Sequence, residues 1–237
     1  MKLCISNIAW ETSDDADVFS ILRKFRVSLL EIAPTKIWTD LISVTKEEIL
    51  TYRKYLEKNG LTAYAFQSIL FSKPQLQLFD SPGEQKSLLM YLDKVFFIAF
   101  HLGVKIIVFG SPKNRRVLNG NIDTAIFRKI ADKAKKYNLI FCIEPNPIDY
   151  SCNFITNTNE GIELVKNINH PNFRLHLDSA IMHMNNEPLS NLEQAIPYLA
   201  HFHISEPQLS SIPGVVNHSV FARKLRELNY RDVVSIE

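Results

Sequence analysis

The sequence is short of the features that most quickly assign a protein. Its 237 residues include three cysteines, Cys4, Cys142 and Cys152, an odd number with no CxxC pair. That argues against a disulfide framework or a cysteine-rich zinc motif, and for reduced, buried thiols in a cytoplasmic protein. No apolar run approaches the ~18 residues that a membrane span needs. The longest candidate, "VFFIAFHLGVKIIVFG", is broken by His101, Gly103 and Lys105. The opening "MKLCISNIAW" is too short and too polar for the apolar region of a signal peptide. No GxGxxG follows the first strand-like run and no Walker loop occurs, which weakens a nucleotide-binding reading. A formal net charge of +2 gives no electrostatic case for a nucleic-acid partner. No Gly/Ser/Pro tract interrupts the chain, so residues 1–237 are expected to form a single domain.

What is present is an alternation. The composition, 46% hydrophobic, is enough for one sizeable core. Apolar or β-branched runs at 3–9, 28–33, 61–70, 105–110, 139–145, 173–178, 199–205 and 233–237 read as strands. Helical periods lie between them, at 14–25, 43–60, 81–103, 121–138, 157–169, 191–199 and 218–229. The second helix carries acids early and ends at Gly60, and the third also ends on glycine. Strands separated by helices predict right-handed βαβ units and a parallel sheet. Eight units at a length near ~250 residues predict a closed (β/α)8 TIM barrel, with a doubly wound open sheet as the competitor. The eighth strand closes the sequence without a helix behind it. The apolar stripe this leaves is expected to be covered by another copy of the chain, a possible homo-oligomer, or by residues of a longer natural chain.

In a parallel barrel the reactive face is the C-terminal end of the strands. Four consecutive strands end on groups capable of chemistry: Glu144 in "FCIEPNP", Asp178 in "RLHLDSAIMHM", His203 in "AHFHISEP" and Glu237 in "VVSIE". Their separations, 34, 25 and 34 residues, are each about one β/α unit, which sets them at a similar height. Alternation puts Cys142 with Glu144 on one face, and likewise His176 with Asp178, His201 with His203, and Ser235 with Glu237. Three carboxylates aimed at one another would repel strongly without a cation among them. With one imidazole they form an oxygen-rich donor set that suits Mn²⁺, Mg²⁺ or Co²⁺ better than a structural zinc site. Each residue also has a plainer explanation: Asp178 as a helix N-cap, Glu144 as a solvent-facing acid, His203 as a core or rim histidine, Glu237 as a chain end.

Candidates to meet a substrate are Glu31 at the end of the second strand, which can face inward or outward, Trp38 in the loop after it, over a substrate face or as a packed loop aromatic, and Gln67 in the third strand. Arg115, with Lys113 and Arg116, sits in the basic loop "GSPKNRR" and would meet a phosphate or carboxylate, unless that loop is simply solvated. Asn146 and Glu206 lie close in sequence to the metal candidates, and His218 stands at a helix start.

The stretches "IEPNP", "HLD", "HFHIS" and "LNYRDVVSIE" make the chain resemble the xylose isomerase-like TIM-barrel superfamily, along essentially its whole length. That group includes sugar-phosphate isomerases and epimerases, inosose dehydratases and endonuclease IV. The resemblance implies one divalent metal ion (Mn²⁺, Mg²⁺, Co²⁺ or Zn²⁺) held by Glu144, Asp178, His203 and Glu237. It implies a sugar or sugar-phosphate substrate isomerised or epimerised through an enediolate, with Glu144 and Glu237 as acid and base. Ketose 3-epimerases place a histidine three residues after the aspartate and an arginine shortly after the metal histidine. Here Ile181 holds the first position, and residues 204–222 contain no arginine. An inosose-type dehydratase, an endonuclease IV-like phosphodiesterase and a non-catalytic barrel are the alternative readings.

Overall fold

A computed structural model describes residues 1–118 and 122–237. Its eight strands are β1 (Lys2–Ser6), β2 (Leu29–Ile32), β3 (Thr62–Phe66), β4 (Ile106–Phe109), β5 (Ile140–Ile143), β6 (Phe173–Asp178), β7 (Leu199–Ile204) and β8 (Val233–Ile236). They pair in parallel and in chain order, and β8 pairs back onto β1 to close the barrel. The helices are α1 (Asp15–Lys24), α2 (Pro34–Ile37), α3 (Lys46–Lys58), α4 (Pro82–Leu102), α5 (Ala125–Lys136), α6 (Thr158–Ile168), α7 (Ser179–Met184), α8 (Leu189–Ala195) and α9 (His218–Glu227). The fold is the expected (β/α)8 barrel. No described helix is long and apolar enough to cross a membrane.

Local chemistry sets the element limits. Thr45 and Glu48 form a capping box at the start of α3: the Thr45 hydroxyl accepts from the Glu48 N–H at 3.2 Å, and the Glu48 carboxylate accepts from the Thr45 N–H at 2.7 Å. Together they satisfy two donors that the first turn leaves orphaned. Ser81 caps α4, and Gly103, at φ +92°, ends it in the left-handed region. Two predicted strands are shorter than their apolar runs. β1 stops at Ser6, whose side chain accepts from the Ile8 N–H and starts a short helical turn. β3 stops at Phe66, because Ser68 takes φ +50°. Gln67 therefore lies just beyond the strand rather than within it. Helix α7 lies outside the helical periods of the sequence, and Asp178 starts it as an N-cap by accepting from the Ala180 and Ile181 N–H groups.

Apolar packing occupies two places. A large cluster between strands and helices includes Phe66, Phe96, Phe109, Phe127, Phe141, Phe173 and Phe202. Inside the barrel a smaller one, with Ala65, Ile106, Val108, Cys142 and Ala200, fills the space between the strands. All three cysteines are free and buried, and burial pushes the Cys4 and Cys142 thiols up, which keeps them protonated. Toward the C-terminal ends of the strands the interior changes character. Glu31, His176, Asp178, His201 and His203 are all buried there. The ladder between β2 and β3 slips between Leu30 and Glu31, and that between β6 and β7 slips between Leu175 and His176. Both irregularities fall where the lining turns polar, the kind of place where a bulge re-aims a side chain. Where β8 meets β1, an apolar cleft of about 170 Å³ is bounded by Leu3, Ile204, Ala222, Leu225 and Val234 among others.

Candidate metal centre

His203 stands at the centre of the polar end. On β7 it pairs in register with Asp178 on β6 and Ser235 on β8, so neighbouring strands bring their terminal acids around it. Its Nδ1 lies 2.9 Å from Glu237 Oε2 and 3.8 Å from Asp178 Oδ2. Donor atoms of Glu144, Asp178 and His203 all fall within 4.8 Å of one another. Glu144 follows β5 and Glu237 follows β8. Each continues its strand's ladder by one backbone bond, Glu144 N–H to Phe109 O at 3.2 Å and Glu237 N–H to Ile204 O at 3.0 Å. The terminal carboxylate is thus held in the barrel rim by its own backbone.

Each acid is fixed by named neighbours. Asp178 accepts from Ala180 N–H at 2.6 Å and Ile181 N–H at 3.3 Å, and the Ser205 hydroxyl lies 2.7 Å from both its oxygens. It is therefore an N-cap and a site residue at once. Glu144 accepts from the Asn146 amide at 3.3 Å, and its Oε1 lies 3.1 Å from His176 Nδ1. Gly110 makes room for it: a Cβ there would sit 1.9 Å from Glu144 Oε2.

Beneath the rim lies a second storey. Glu31, fully buried, reaches His203 Nε2 at 2.8 Å and His201 Nε2 at 3.3 Å. These are ion-pair distances, but the N–H directions are not aligned with the oxygens, so the two Glu31 oxygens and His203 Nε2 have no well-formed hydrogen bond. The His176 and His203 rings meet edge to face with centroids 4.0 Å apart. His203 thus has one nitrogen toward the rim acids and the other toward Glu31. That division fixes which nitrogen is free for a ligand.

Burial and charge set the protonation states. Burial pushes Asp178 up to about 7, with the Glu237 and Glu144 carboxylates adding to it. Burial likewise raises Glu144. Burial acts against a charged His203, yet Glu31 and Glu237 more than offset it and hold the imidazole well above its ordinary value. For Glu31 burial is overcome in the same way by His203 and His201, and its carboxyl stays well below the usual range. His176 goes the other way, depressed by burial and by its two neighbouring imidazoles. The rim therefore holds protons near neutrality that a cation would displace. Converging oxygen donors, one imidazole nitrogen turned toward them and raised carboxyl pKa values fit a divalent metal ion.

A pH dependence follows. Between about pH 4 and about pH 7 the folded chain keeps a proton on Asp178 that the unfolded chain has released, and the raised Glu144 acts in the same sense. For these two groups the folded side binds more protons, so their contribution to stability falls as pH rises through this window, whereas the depressed His176 contributes in the opposite sense. Glu31, depressed rather than raised, stays ionised throughout it. In chelator, these groups are expected to lower the melting temperature from about pH 5 to about pH 8. The stabilisation by added divalent metal is expected to grow over the same range. A metal-induced shift that is equal at both ends would contradict this assignment.

The other sequence candidates divide. Gln67 lines a space of about 210 Å³ shared with Glu144 and Glu237, and its amide contacts the Ser6 hydroxyl. Asn146 lines that space and a neighbouring one of about 310 Å³ bounded by Glu144, Asp178, Ile181 and Glu237. Glu206 borders the latter, but its carboxylate is engaged by the N–H groups of Gly214, Val215 and Val216 and by His218 Nε2 at 2.8 Å. Those bonds, against the opposing effect of burial, hold its pKa down. Four expected substrate contacts are corrected. Glu31 lies under His203, not in the cleft. Arg115 is fully buried, and its guanidinium donates to the carbonyls of Phe109, Glu144 and Phe154 at 3.0, 2.7 and 3.2 Å, so it is turned into the fold and not toward a substrate phosphate. Trp38 packs edge-on against Tyr52 of α3, at 5.5 Å, in an outer cleft away from the rim acids. His218 is committed to Glu206 and borders neither space beside the metal donors. Sequence reading assigns no place in the site to His176, His201, Ser205 and Gly110. The two histidines carried a signal, since each precedes a rim residue by two on the same strand face.

A model of the family described as xylose isomerase-like TIM barrel matches residues 27–237. Among solved structures, D-psicose 3-epimerase from Clostridium cellulolyticum H10, determined with D-tagatose, superposes with a TM-score of 0.81 at 21% identity, covering 100% of this chain and 84% of that one. L-ribulose 3-epimerase gives 0.82 at 17% identity, over 100% and 81%. The IOLI protein with a binding zinc atom gives 0.76 at 18%, over 100% and 88%. At these identities the likeness is one of fold. No curated protein sequence matches the chain.

Proposed function

From the premise that this chain belongs to the xylose isomerase-like TIM-barrel family, we propose that it is a divalent-metal-dependent isomerase or epimerase of sugars. The observation that carries the reading is the convergence of Glu144, Asp178 and His203 donors within 4.8 Å, with Glu237 against the same His203 nitrogen. Glu144, Asp178, His203 and Glu237 would hold the ion. When bound, it supplies Lewis-acid polarisation of a substrate carbonyl and lowers the pKa of the neighbouring C–H.

The chain's own residues do the rest. Asp178 is clamped by Ser205 and two backbone N–H groups, so it serves as a fixed anchor. Glu144 and Glu237 both border the smaller space beside the donors, within reach of a substrate held there. Burial lifts Glu144 toward the pH at which a carboxylate both takes and returns a proton efficiently. The Asn146 amide donates to its Oε2 and His176 Nδ1 lies 3.1 Å from its Oε1, which orients it without removing its basicity. Glu144 takes the proton from the carbon beside the carbonyl, and Glu237 delivers one. Delivery to the opposite face of the same carbon epimerises; delivery to the neighbouring carbon isomerises. Ile181 and Ala180 form an apolar side of the cleft that restricts water around the reacting carbons.

The test is metal analysis of protein purified without chelator, followed by a panel of ketoses, keto-glycosides and sugar phosphates. About one ion per chain is expected, lost in Asp178→Asn, with turnover dependent on it. Near three zinc ions would point instead to a nuclease-type cluster. No ion after reconstitution with Mn²⁺ or Co²⁺ would remove the proposal.

A further inference from the structure

The cleft does not stop at the metal donors. A third space of about 660 Å³ adjoins the two already described. Asn146 lines all three; Tyr150 is shared with the larger of the near pair, and Ser111 and Pro112 with the smaller. A substrate whose reacting carbons lie at the donors therefore has a continuous way outward past Asn146.

This outer space is built into the fold. The buried Asn114 side chain donates to Lys73 O at 2.7 Å and Leu76 O at 2.8 Å, and Leu78 N–H donates to Asn114 O at 2.8 Å. Gln77 adds a bond to Lys113 O at 2.9 Å. The loop after β3 and the turn after β4 are thereby sewn together as one wall. On the opposite side the Tyr150 hydroxyl accepts from Gln208 N–H at 2.8 Å, which fixes that ring between the near and outer spaces. Phe71, 66% exposed, leaves a large aromatic face beside the cleft.

The lining selects a class of ligand. Leu70, Phe71, Pro74, Pro112 and Tyr150 are apolar or aromatic, and the charges among them are of both signs, Lys73 and Lys113 against Asp149. A phosphate seeks converging cations and is disfavoured by a carboxylate. A neutral polyhydroxylated ring fits both features: its C–H face lies on the aromatic walls and its hydroxyls meet the lysines and the aspartate. The outer space alone is larger than the two near ones, which are sufficient for a single hexose. We propose that the outer space is a subsite for a second sugar ring, so that the substrate is a glycosylated ketose rather than a free monosaccharide or a sugar phosphate. The inference rests on the sugar-isomerase reading for the chemistry, and on the outer wall for the specificity.

The test separates the two. Binding of D-fructose, D-psicose and D-tagatose to the metal-loaded full chain is measured by calorimetry. Each sugar is supplied free, carrying a glucosyl ring on its terminal carbon (isomaltulose in the fructose case), and phosphorylated at that carbon. Turnover of the same set is followed in parallel. At least one glycosylated sugar is expected to bind about tenfold or more tightly than its free counterpart. Phe71→Ala is expected to erase that advantage while leaving metal content and affinity for the free sugar unchanged. No preference for a glycosylated member in any set, absence of binding included, overturns the subsite, as does tighter binding of a phosphorylated member or an advantage that survives Phe71→Ala. Preference without turnover keeps the subsite and removes the isomerase reading. Turnover of free sugars without preference does the reverse.

Discussion

Replacing Glu144 by glutamine is expected to lower turnover by about 10²–10⁴-fold while the barrel persists. Glutamine keeps the volume that Gly110 leaves open and keeps an oxygen for the Asn146 amide. What it loses is the ability to take and return a proton. Glu144 is also expected to hold the ion, so metal content must be checked in the variant at saturating metal. The measurement is exchange of solvent deuterium into the sugar together with product formation, since exchange isolates the proton step. A variant that retains exchange within about tenfold of the parent would remove Glu144 from the chemistry and shift the base to Glu237.

Glu31→Gln should have the second large effect, at a residue that touches neither metal nor sugar. Its carboxylate lies under His203 Nε2 and beside His201, fully buried. Removing one partner of a buried ion pair leaves the other charge uncompensated, which costs on the order of 3–5 kcal/mol. It also frees the His203 ring from the contact that turns Nδ1 toward Asp178 and Glu237. Loss of such an outer carboxylate typically weakens metal binding by about 10–100-fold. Urea unfolding in chelator reads the first effect and metal titration the second. Unchanged metal affinity would show that the rim alone orients His203, and that Glu31 is there only to balance charge.

The barrel was legible because the alternation of strand and helix signals is regular, and because β5 to β8 each end on a chemically marked residue one unit apart. Glu144, Asp178, His203 and Glu237 needed no side-chain detail to be grouped. Glu31 did. Its strand is short, and a one-residue change of register turns every side chain to the other face; the slip between Leu30 and Glu31 decides the matter only in three dimensions. Arg115 failed for a different reason. A basic run reads as a solvated loop, and nothing local reveals that three backbone carbonyls, from Phe109, Glu144 and Phe154, converge to receive its guanidinium. Trp38 was misplaced because its partner, Tyr52, lies on a different element. His176 and His201 were placed on the right face but had no assigned role, since an imidazole beneath a ligand is indistinguishable by spacing from one that packs in a core.

The two-storey construction divides what can change from what cannot. The four rim residues and the histidines beneath them share one assembly around His203, in which a single exchange disturbs several charges at once. The outer wall, in contrast, is built from partly exposed segments after β3, β4 and β5, the first two joined by the Asn114 and Gln77 side chains on backbone carbonyls, a framework that does not rest on the side chains of Phe71, Lys73, Lys113 or Asp149. Mutation can therefore explore new partners for the reaction at little cost to the machinery that performs it. A gene with this architecture can drift in diet while its chemistry stands still.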